Sequence, residues 1–330
     1  MNLNVCYASD NNYSKYLGIS VISLLENNKL FKNITVYIID LDISFENKIK
    51  IESITNNYNR QVVFIKFPNE ISEIDELASK YIVYPKATYA RLILLRLLPN
   101  NLDKILYLDC DTIVADGLTD LWETEIDKFG VGGVFDIMPI WKKKRNNLSE
   151  NYYVNAGILL INLKYWRESN AEQKFFEIIK DKSYYFQNCD QDIINIAFKK
   201  SIKIIDLKYN LTTHYLDFKN YCQYYKICKK INSNYYSAEQ FNTALAIPSI
   251  IHYAGRRPWF SNYYCPRKND YIKYLKLSPW HNEALEKYDY RKNLLNYFII
   301  NIPKFLYYRM QLIINFFSKN FSFDAFINKK

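Results

Sequence analysis

The chain has 330 residues, of which 49% are hydrophobic and 24% are charged, and its formal net charge is +10. This length is enough for one large domain with a full hydrophobic core, or for one domain with an appendage. The 31 tyrosines and 20 phenylalanines exclude a disordered chain, because folding can bury their large apolar surface. The basic charge favours an anionic partner, such as a phosphorylated substrate, a membrane surface or a nucleic acid.

The six cysteines form no Cys-x-x-Cys pair, so their spacing indicates neither a zinc site nor a disulfide framework. We therefore expect a reducing, cytoplasmic environment. Residues 1–10 lack the basic start and apolar run of a secretion signal. No stretch reaches about 18 uninterrupted apolar residues, so a membrane-spanning helix is not expected.

The first part of the chain alternates between strand and helix patterns. Short apolar runs rich in β-branched residues indicate buried strands, Ser44 can cap the second helix, and Pro68 ends the third strand. This alternation predicts a parallel sheet with helices on both faces. The predicted order is strand 3–8, helix 16–25, strand 34–39, helix 44–56 and strand 62–67.

The same kind of pattern continues to about residue 253, with no internal repeat and no flexible linker. The fold class predicted is therefore α/β, with a doubly wound, mostly parallel sheet. The further predicted elements are helix 88–98, strands 105–108, 131–135 and 158–162, helices 172–179 and 193–198, and strand 249–253.

The last forty residues have a different composition. Residues 291–330 mix aromatic with basic residues and contain a single acid, Asp324. This composition is typical of a basic, amphipathic helical segment on an anionic membrane, although a helical pair packed on the main domain would also fit it. We therefore divide the chain into a main domain, 1–285, and a C-terminal segment, 286–330, that is a candidate membrane-association element.

The strongest chemical signal is Asp109-Cys110-Asp111, directly after the predicted strand 105–108. Open parallel sheets bind ligands beyond the carboxyl ends of their strands. Two carboxylates one residue apart can bind one hard cation and leave positions for phosphate oxygens. The alternative is a solvated turn with capping acids.

A second motif is the run from His252 to Trp259, His-Tyr-Ala-Gly-Arg-Arg-Pro-Trp, which leaves a late strand. An imidazole nitrogen suits Mn²⁺ better than Ca²⁺ as a ligand. Gly255 permits close approach of the backbone to a ligand, and Arg256 and Arg257 can grip a diphosphate. A lone strand histidine is more often structural, but packing explains this whole run less easily.

Two further motifs are polar. Asn155-Ala156-Gly157 presents an amide that can both donate to and accept from sugar hydroxyls. A turn before a buried strand would show the same sequence pattern. Asp190-Gln191-Asp192 opens the predicted helix 193–198, where acids are also favoured as N-terminal caps.

In this order the motifs resemble those of glycosyltransferase family 8, with its LgtC-type lipooligosaccharide galactosyltransferases as the nearest pattern. The resemblance runs from Val5 to about Trp280 and also includes Tyr7-Ala8-Ser9-Asp10 and Thr88-Tyr89-Ala90-Arg91. It implies a GT-A fold, a UDP-galactose or UDP-glucose donor, and a glycan or lipid-linked acceptor such as lipopolysaccharide. The basic C-terminal segment fits a cytoplasmic enzyme that is peripheral on the inner face of the cytoplasmic membrane.

The resemblance implies a role for each matching residue. Asp109, Asp111 and His252 would bind Mn²⁺ or Mg²⁺. Residues that would contact the donor through its uridine, sugar or diphosphate are Ala8, Asp10, Asn12, Tyr13, Arg91, Cys110, Asp136, Ala156, Gly157, Gly255 and Arg257. The family usually has Lys before Pro-Trp, and this chain has Arg257 there, so a positively charged side chain is kept. The loop that carries Arg257 looks one residue shorter than in the family.

Asn155, Asp190 and Gln191 are the implied catalytic residues. The family retains the anomeric configuration, for which glycosidases use a carboxylate nucleophile. The equivalent residue here is Gln191, a poor nucleophile, so we favour front-face substitution, in which leaving UDP accepts the acceptor's proton. Nucleophilic attack by Asp190 is the alternative.

Three other interpretations are weaker. A nucleotidyltransferase needs a glycine-rich phosphate loop near its first strand, and this chain has no glycine before Gly18. A nucleic-acid-binding protein is not expected, because the basic residues are spread out apart from 142–145 and the C-terminal segment. The intact set of metal ligands argues against an inactive membrane-associated scaffold.

Overall fold

The computed structural model describes residues 1–68, 70–80, 85–148, 151–231 and 233–289, together with Leu306 and Met310. The strands in these residues are β1 Asn2–Asp10, β2 Asn33–Leu41, β3 Gln61–Lys66, β4 Lys104–Leu108, β5 Thr112–Val114, β6 Val131–Phe135, β7 Val154–Asn162, β8 Ile202–Ile204, β9 Leu211–Thr212 and β10 Ile250–His252.

The α-helices are α1 Ser14–Asn27, α2 Phe45–Asn57, α3 Ser72–Lys80, α4 Lys86–Tyr89, α5 Leu94–Leu97, α6 Thr119–Glu123, α7 Ile140–Arg145, α8 Leu163–Glu168, α9 Ala171–Lys180, α10 Asp190–Ala197, α11 Tyr221–Lys230, α12 Ala238–Ala246 and α13 Lys268–Leu275. Short 3₁₀ turns occupy Ala90–Ile93, Leu207–Asn210 and Tyr215–Asp217.

The main sheet has seven strands in the order β3-β2-β1-β4-β7-β6-β8. Each pair that lacks β7 is parallel, whereas β7 runs antiparallel to both β4 and β6. The predicted α/β fold with a mostly parallel sheet is therefore confirmed. A second, three-stranded sheet in the order β5-β10-β9, which the sequence did not predict, brings His252 beside the end of β4.

The hydrophobic core lies on both faces of the main sheet. Along β1, Val5 and Tyr7 point into a cluster formed with α1, α2 and the small sheet. Cys6 and Ala8 point into the opposite cluster, formed with α8, α9 and α10. This alternation follows from the two-residue period of a strand, and burial on both faces explains the nearly continuous apolar sequence.

The predicted helix 88–98 is interrupted. The structure has α4, a 3₁₀ turn and α5 in its place. Residues from Tyr89 to Leu94 are all buried. Packing on every side, rather than an amphipathic period, therefore determines the geometry of this segment.

Almost all of the C-terminal segment, 286–330, lies outside the described residues, so its predicted membrane association stays a prediction. Among the described residues, no helix combines the length and the apolar character that crossing a bilayer requires.

Candidate active site

The two aspartates of the acidic motif are held by backbone hydrogen bonds at the carboxyl end of β4. The Asp109 amide donates to the carbonyl of Gly157 on β7 at 2.8 Å, and the Asp111 carbonyl accepts from the Tyr253 amide at 2.9 Å. Between them, the Cys110 thiol is buried and lies 3.3 Å from the carbonyl oxygen of Ala8. Both carboxylates therefore face the same side, while the cysteine fills the space beneath β1.

His252 arrives from β10 and completes a cluster of possible metal ligands. Its Nε2 lies 3.3 Å from Asp111 Oδ1 and 3.8 Å from Asp109 Oδ2, and one ligand atom from each residue lies within 4.8 Å of the others. Burial by itself lowers the pKa of His252, but the carboxylates of Asp111 and Asp109 outweigh it and raise the pKa. Burial also raises the pKa of Asp109, although Arg91 opposes this.

These three residues fit a divalent cation. Two carboxylates and one imidazole converge on a single gap, and the missing side chain of Gly157 keeps that gap open on the side of β7. Oxygen ligands with one nitrogen suit Mn²⁺, and three protein ligands leave positions for phosphate oxygens.

Arg91 is buried and pairs with one aspartate from each of the two acidic motifs. Its guanidinium lies 2.6 Å from Asp109 Oδ1 and 3.0 Å from Asp190 Oδ2, and it also donates to the carbonyl of Ala156. The guanidinium carbon lies 4.3 Å above the centre of the Tyr107 ring. These contacts pair Arg91 with neighbouring acids, whereas the family resemblance implied a contact with the donor.

Asp190 and Gln191 form the first turn of α10. Burial raises the pKa of Asp190 to about 7, against the lowering effect of Arg91. Gln191 Oε1 accepts from the Ala156 amide at 3.0 Å and from Asn155 Nδ2 at 3.2 Å. On its other side, Gln191 Nε2 donates to Asp136 Oδ2 at 2.8 Å. Residues from β6, β7 and α10 are thus linked in one polar network.

These groups line a single cavity of about 510 Å³ at the carboxyl ends of β1 and β4. The sequence-predicted residues that line it are Ala8, Asp10, Tyr13, Arg91, Asp109, Cys110, Asp111, Asp136, Asn155, Ala156, Gly157, Asp190, Gln191, His252 and Gly255. Asn12 and Arg257 are exposed and are not among the lining residues.

Comparisons with known proteins identify the family. Residues 4–263 match the family model for glycosyl transferase family 8. This chain belongs to glycosyltransferase family 8. The match covers every residue of the cavity described above and ends just before Tyr264.

Two curated relatives illustrate the family 8 match. The chain is 33% identical over 219 residues to a putative glycosyltransferase of Haemophilus influenzae, covering 64% of this chain and 63% of that protein. It is 30% identical over 305 residues to a lipopolysaccharide 1,2-glucosyltransferase of Escherichia coli, covering 88% of this chain and 84% of that protein.

Solved structures support the fold of this family 8 chain. The crystal structure of the galactosyltransferase LgtC with donor and acceptor sugar analogues aligns with a TM-score of 0.69. The alignment covers 84% of this chain and 96% of that one, at 23% sequence identity. The expected GT-A type of fold and the resemblance to family 8 are both confirmed.

The His252 to Trp259 motif of this family 8 chain divides into site residues and packing residues. Gly255 has φ of 72°, which an L side chain rarely adopts, and it lines the cavity. Arg256 is buried, and its guanidinium pairs with the Asp217 carboxylate at 3.1 Å. It therefore does not point to the cavity, whereas the sequence suggested that it grips a diphosphate there. The Trp259 ring stacks on Tyr16 of α1 with centroids 4.0 Å apart.

Sequence reasoning missed several residues that line the cavity. Asn188 lies two positions before Asp190, and Thr88 lies in the motif that also holds Arg91, so proximity to a motif was an available signal for both. His214 also lines the cavity, near Gly255. No sequence motif marks His214, because the 3₁₀ turn after β9 brings it there.

Proposed function

We propose that this chain transfers a hexose from UDP-galactose or UDP-glucose to a glycan acceptor, with retention of anomeric configuration and with the help of Mn²⁺ or Mg²⁺. The observation that carries the proposal is that two chemically different sets share one cavity. Asp109, Asp111 and His252 suit a cation with its diphosphate, whereas Asn155 and Gln191 suit sugar hydroxyls. A nucleotide-sugar has both parts, joined at the bond that is broken.

The diphosphate end of the donor is proposed to lie against the ligand cluster. A cation held by Asp109, Asp111 and His252 would supply positive charge beside the diphosphate and so stabilise UDP as it leaves. Arg257 is proposed to add a second positive charge. In support, the Arg257 guanidinium opposes the rise that burial causes in the pKa of Tyr13, and Tyr13 lines the cavity.

At the sugar end, Asp190 is poorly suited to act as a nucleophile. Its carboxylate is paired with Arg91 at 3.0 Å, and burial raises its pKa to about 7. Gln191 is a neutral amide. We therefore propose front-face substitution, in which the bond from C1 to UDP breaks while the acceptor hydroxyl attacks from the same face. The β-phosphate oxygen of UDP takes the hydroxyl proton, and Asn155, Asp136 and Gln191 hold the sugar.

A screen of UDP-sugars with Mn²⁺, measured by release of UDP, tests the proposed reaction. We expect release of UDP from UDP-galactose or UDP-glucose and little release from the other UDP-sugars in the screen. The variant Asp109→Asn with Asp111→Asn should lose both UDP binding and turnover. Mn²⁺-dependent turnover that survives in this double variant would refute the metal assignment.

The displacement mechanism has its own test. A donor with a slowly reacting sugar is incubated with the enzyme, and the intact protein is then analysed by mass spectrometry. Front-face substitution predicts no added sugar on the chain. A glycosyl adduct that maps to Asp190 would establish double displacement instead.

The acceptor is proposed to be lipopolysaccharide or another cell-surface glycan. Relatives in the family include lipopolysaccharide glucosyltransferases and galactosyltransferases, and residues 286–330 are basic and aromatic, as a segment on an anionic membrane would be. We propose that residues 1–285 perform the transfer while the C-terminal segment binds the inner face of the cytoplasmic membrane. Transfer of a radiolabelled hexose to a panel of glycan and lipid-linked acceptors would test this.

A further inference from the structure

Asn210 contacts two residues of the cavity, one proposed to bind the metal and the other proposed to bind the sugar. It ends the 3₁₀ turn before β9 and its side chain is fully buried. Asn210 Oδ1 lies 3.1 Å from His252 Nδ1, and Asn210 Nδ2 lies 2.9 Å from Asn155 Oδ1. One amide therefore contacts both a proposed metal ligand and a proposed sugar-binding residue.

A backbone group fixes the direction of these hydrogen bonds. The Gly157 amide donates to the Asn155 side chain at 3.0 Å, and a backbone N–H can only donate, so the Asn155 atom there is the oxygen. Asn210 must then present its NH₂ group to that oxygen and its own oxygen to His252. An oxygen can only accept, so His252 must carry its proton on Nδ1.

The tautomer decides what His252 can do. With the proton of the neutral ring on Nδ1, the lone pair of Nε2 faces Asp109 and Asp111. A lone pair and two carboxylates repel one another unless a cation lies between them. A histidine that ligates a metal commonly has its other nitrogen bonded in this way, which fixes the ring and its tautomer.

We propose that Asn210 is a positioning residue that holds His252 in the Nδ1-protonated form and also orients Asn155 toward Gln191. The orientation of Asn155 follows from the same hydrogen bonds. Since Asn155 Oδ1 accepts from Asn210 and Gly157, its NH₂ group faces Gln191 Oε1. Asn210 thus couples the metal side of the cavity to the sugar side. This inference rests on the proposed metal-dependent transfer for its functional meaning, but the tautomer can be measured without it.

Nuclear magnetic resonance can observe the tautomer directly. The chain has three histidines, His214, His252 and His281, so ¹⁵N-histidine labelling of the full chain gives three rings to assign, with His252→Gln identifying the signal of interest. Spectra are recorded at alkaline pH with saturating diamagnetic Mg²⁺, so that the imidazole is neutral and a cation can lie between Nε2 and the two carboxylates. We expect His252 to show a protonated Nδ1 and an unprotonated Nε2. A protonated Nε2 in the neutral ring would overturn the proposal.

Two substitutions separate the two bonds of Asn210. Asn210→Leu removes both, so Mn²⁺ affinity should fall by roughly 10- to 100-fold and the tautomer preference should be lost. Asn210→Asp keeps an acceptor for Nδ1–H but turns a second oxygen toward Asn155. It should therefore keep the tautomer and the Mn²⁺ affinity while kcat falls. Equal losses of Mn²⁺ affinity in both variants, or no loss in Asn210→Leu, would overturn the proposal.

Asn28→Ala is the matched control for loss of a buried amide. Asn28 is also buried, and it bonds the Leu24 carbonyl and the Leu118 amide far from the cavity. It should lower stability without changing Mn²⁺ affinity or the His252 signal. If wild-type protein shows the predicted tautomer and binds Mn²⁺ but releases UDP from no UDP-sugar, the proposed function fails while the role of Asn210 stands.

Discussion

Gly157 is the residue whose lack of a side chain matters most to the site. A Cβ built at this position on β7 would lie 2.2 Å from His252 Cε1 and 2.8 Å from Asp109 Oδ2. Both distances are too short for non-bonded atoms, so any side chain must displace one of the proposed metal ligands. The sequence indicated Gly157 as part of a sugar-binding motif, but only the structure shows that it makes room for the ligand cluster.

Gly157→Ala should therefore abolish Mn²⁺ binding and lower kcat/KM by at least about 100-fold, with a stability cost of about 1–3 kcal/mol from overpacking. Gly117→Ala is a matched control, because nothing lies within 4 Å of a Cβ at that position. Isothermal titration with Mn²⁺ and urea unfolding measure the two effects. Normal Mn²⁺ affinity in Gly157→Ala would show that the ligands lie elsewhere.

Asp190 should make the stability of the metal-free protein depend on pH. Its folded-state pKa is about 7, against an ordinary value of about 3.9. Between these values the folded state keeps a proton that the unfolded state has lost, so this group makes the free energy of unfolding fall as pH rises. Asp190→Asn should flatten the pH dependence of the urea midpoint across this window. Parallel curves for the two proteins would contradict the raised pKa.

At the scale of elements, Asn195 fastens α10 to β7. Its buried amide accepts from the Val154 amide at 2.8 Å and donates to the carbonyls of Val154 and Gln191 at 2.9 and 2.8 Å. The sequence does not indicate this role, because a lone Asn in an apolar helix carries no motif. The position of Gln191 in the cavity nevertheless depends on it.

Asn195→Ala should destabilise the protein by about 3 kcal/mol, because it leaves buried backbone groups of Val154 without partners. It should also lower kcat, since Gln191 is released. Ser237→Ala removes the capping box of α12, away from the cavity, and should cost about 1 kcal/mol with kcat unchanged. Urea unfolding and UDP release are measured for both. Unchanged kcat in Asn195→Ala would separate the helix attachment from catalysis.

The elements that could be predicted are those with a strong local signal. The buried runs of β1, β2, β4 and β6 were read correctly, and so was α2, whose cap Ser44 accepts from the Asn47 amide. Of the small sheet, only β10 was predicted, as strand 249–253, because it is an apolar run. The pairing of β10 with β5 and β9 could not be predicted, because those strands of two or three residues have no usable period. Long-range bonds, such as the Thr213 amide to the His252 carbonyl at 3.0 Å, hold that sheet together.

The candidate site residues also divide into those with a local sequence signal and those without one. Those in motifs at strand ends, such as Asp109, Asp111 and His252, were predicted, because their chemical type and their position agree. Asn210 had no role predicted from the sequence, and Arg256 was predicted to grip a diphosphate rather than to pair with Asp217. Their partners lie 42 and 39 residues away, so burial and pairing were visible only after folding.

For the molecule as a whole, residues 283–286 are attached beside the cavity. Glu283 pairs with Lys15 at 2.7 Å, and Glu286 accepts from Tyr16 at 2.9 Å, both on α1. Tyr13, just before this helix, lines the cavity. Residues 283–286 therefore lie close to α1, and Tyr13, just before α1, is proposed to contact the donor.

A membrane-binding C-terminal segment would therefore anchor the molecule near its active site, and this can be tested on the full chain. Each basic residue near an anionic surface contributes about 1 kcal/mol, so Arg291→Gln with Lys292→Gln should weaken binding to vesicles containing anionic lipid by roughly 30-fold. Lys128→Gln with Lys200→Gln removes the same charge from exposed positions of the main domain and should have a much smaller effect. Co-sedimentation at increasing salt measures both variants, and turnover of a water-soluble acceptor should be the same in each. Equal vesicle binding by the two variants would mean that the C-terminal segment packs on the protein instead.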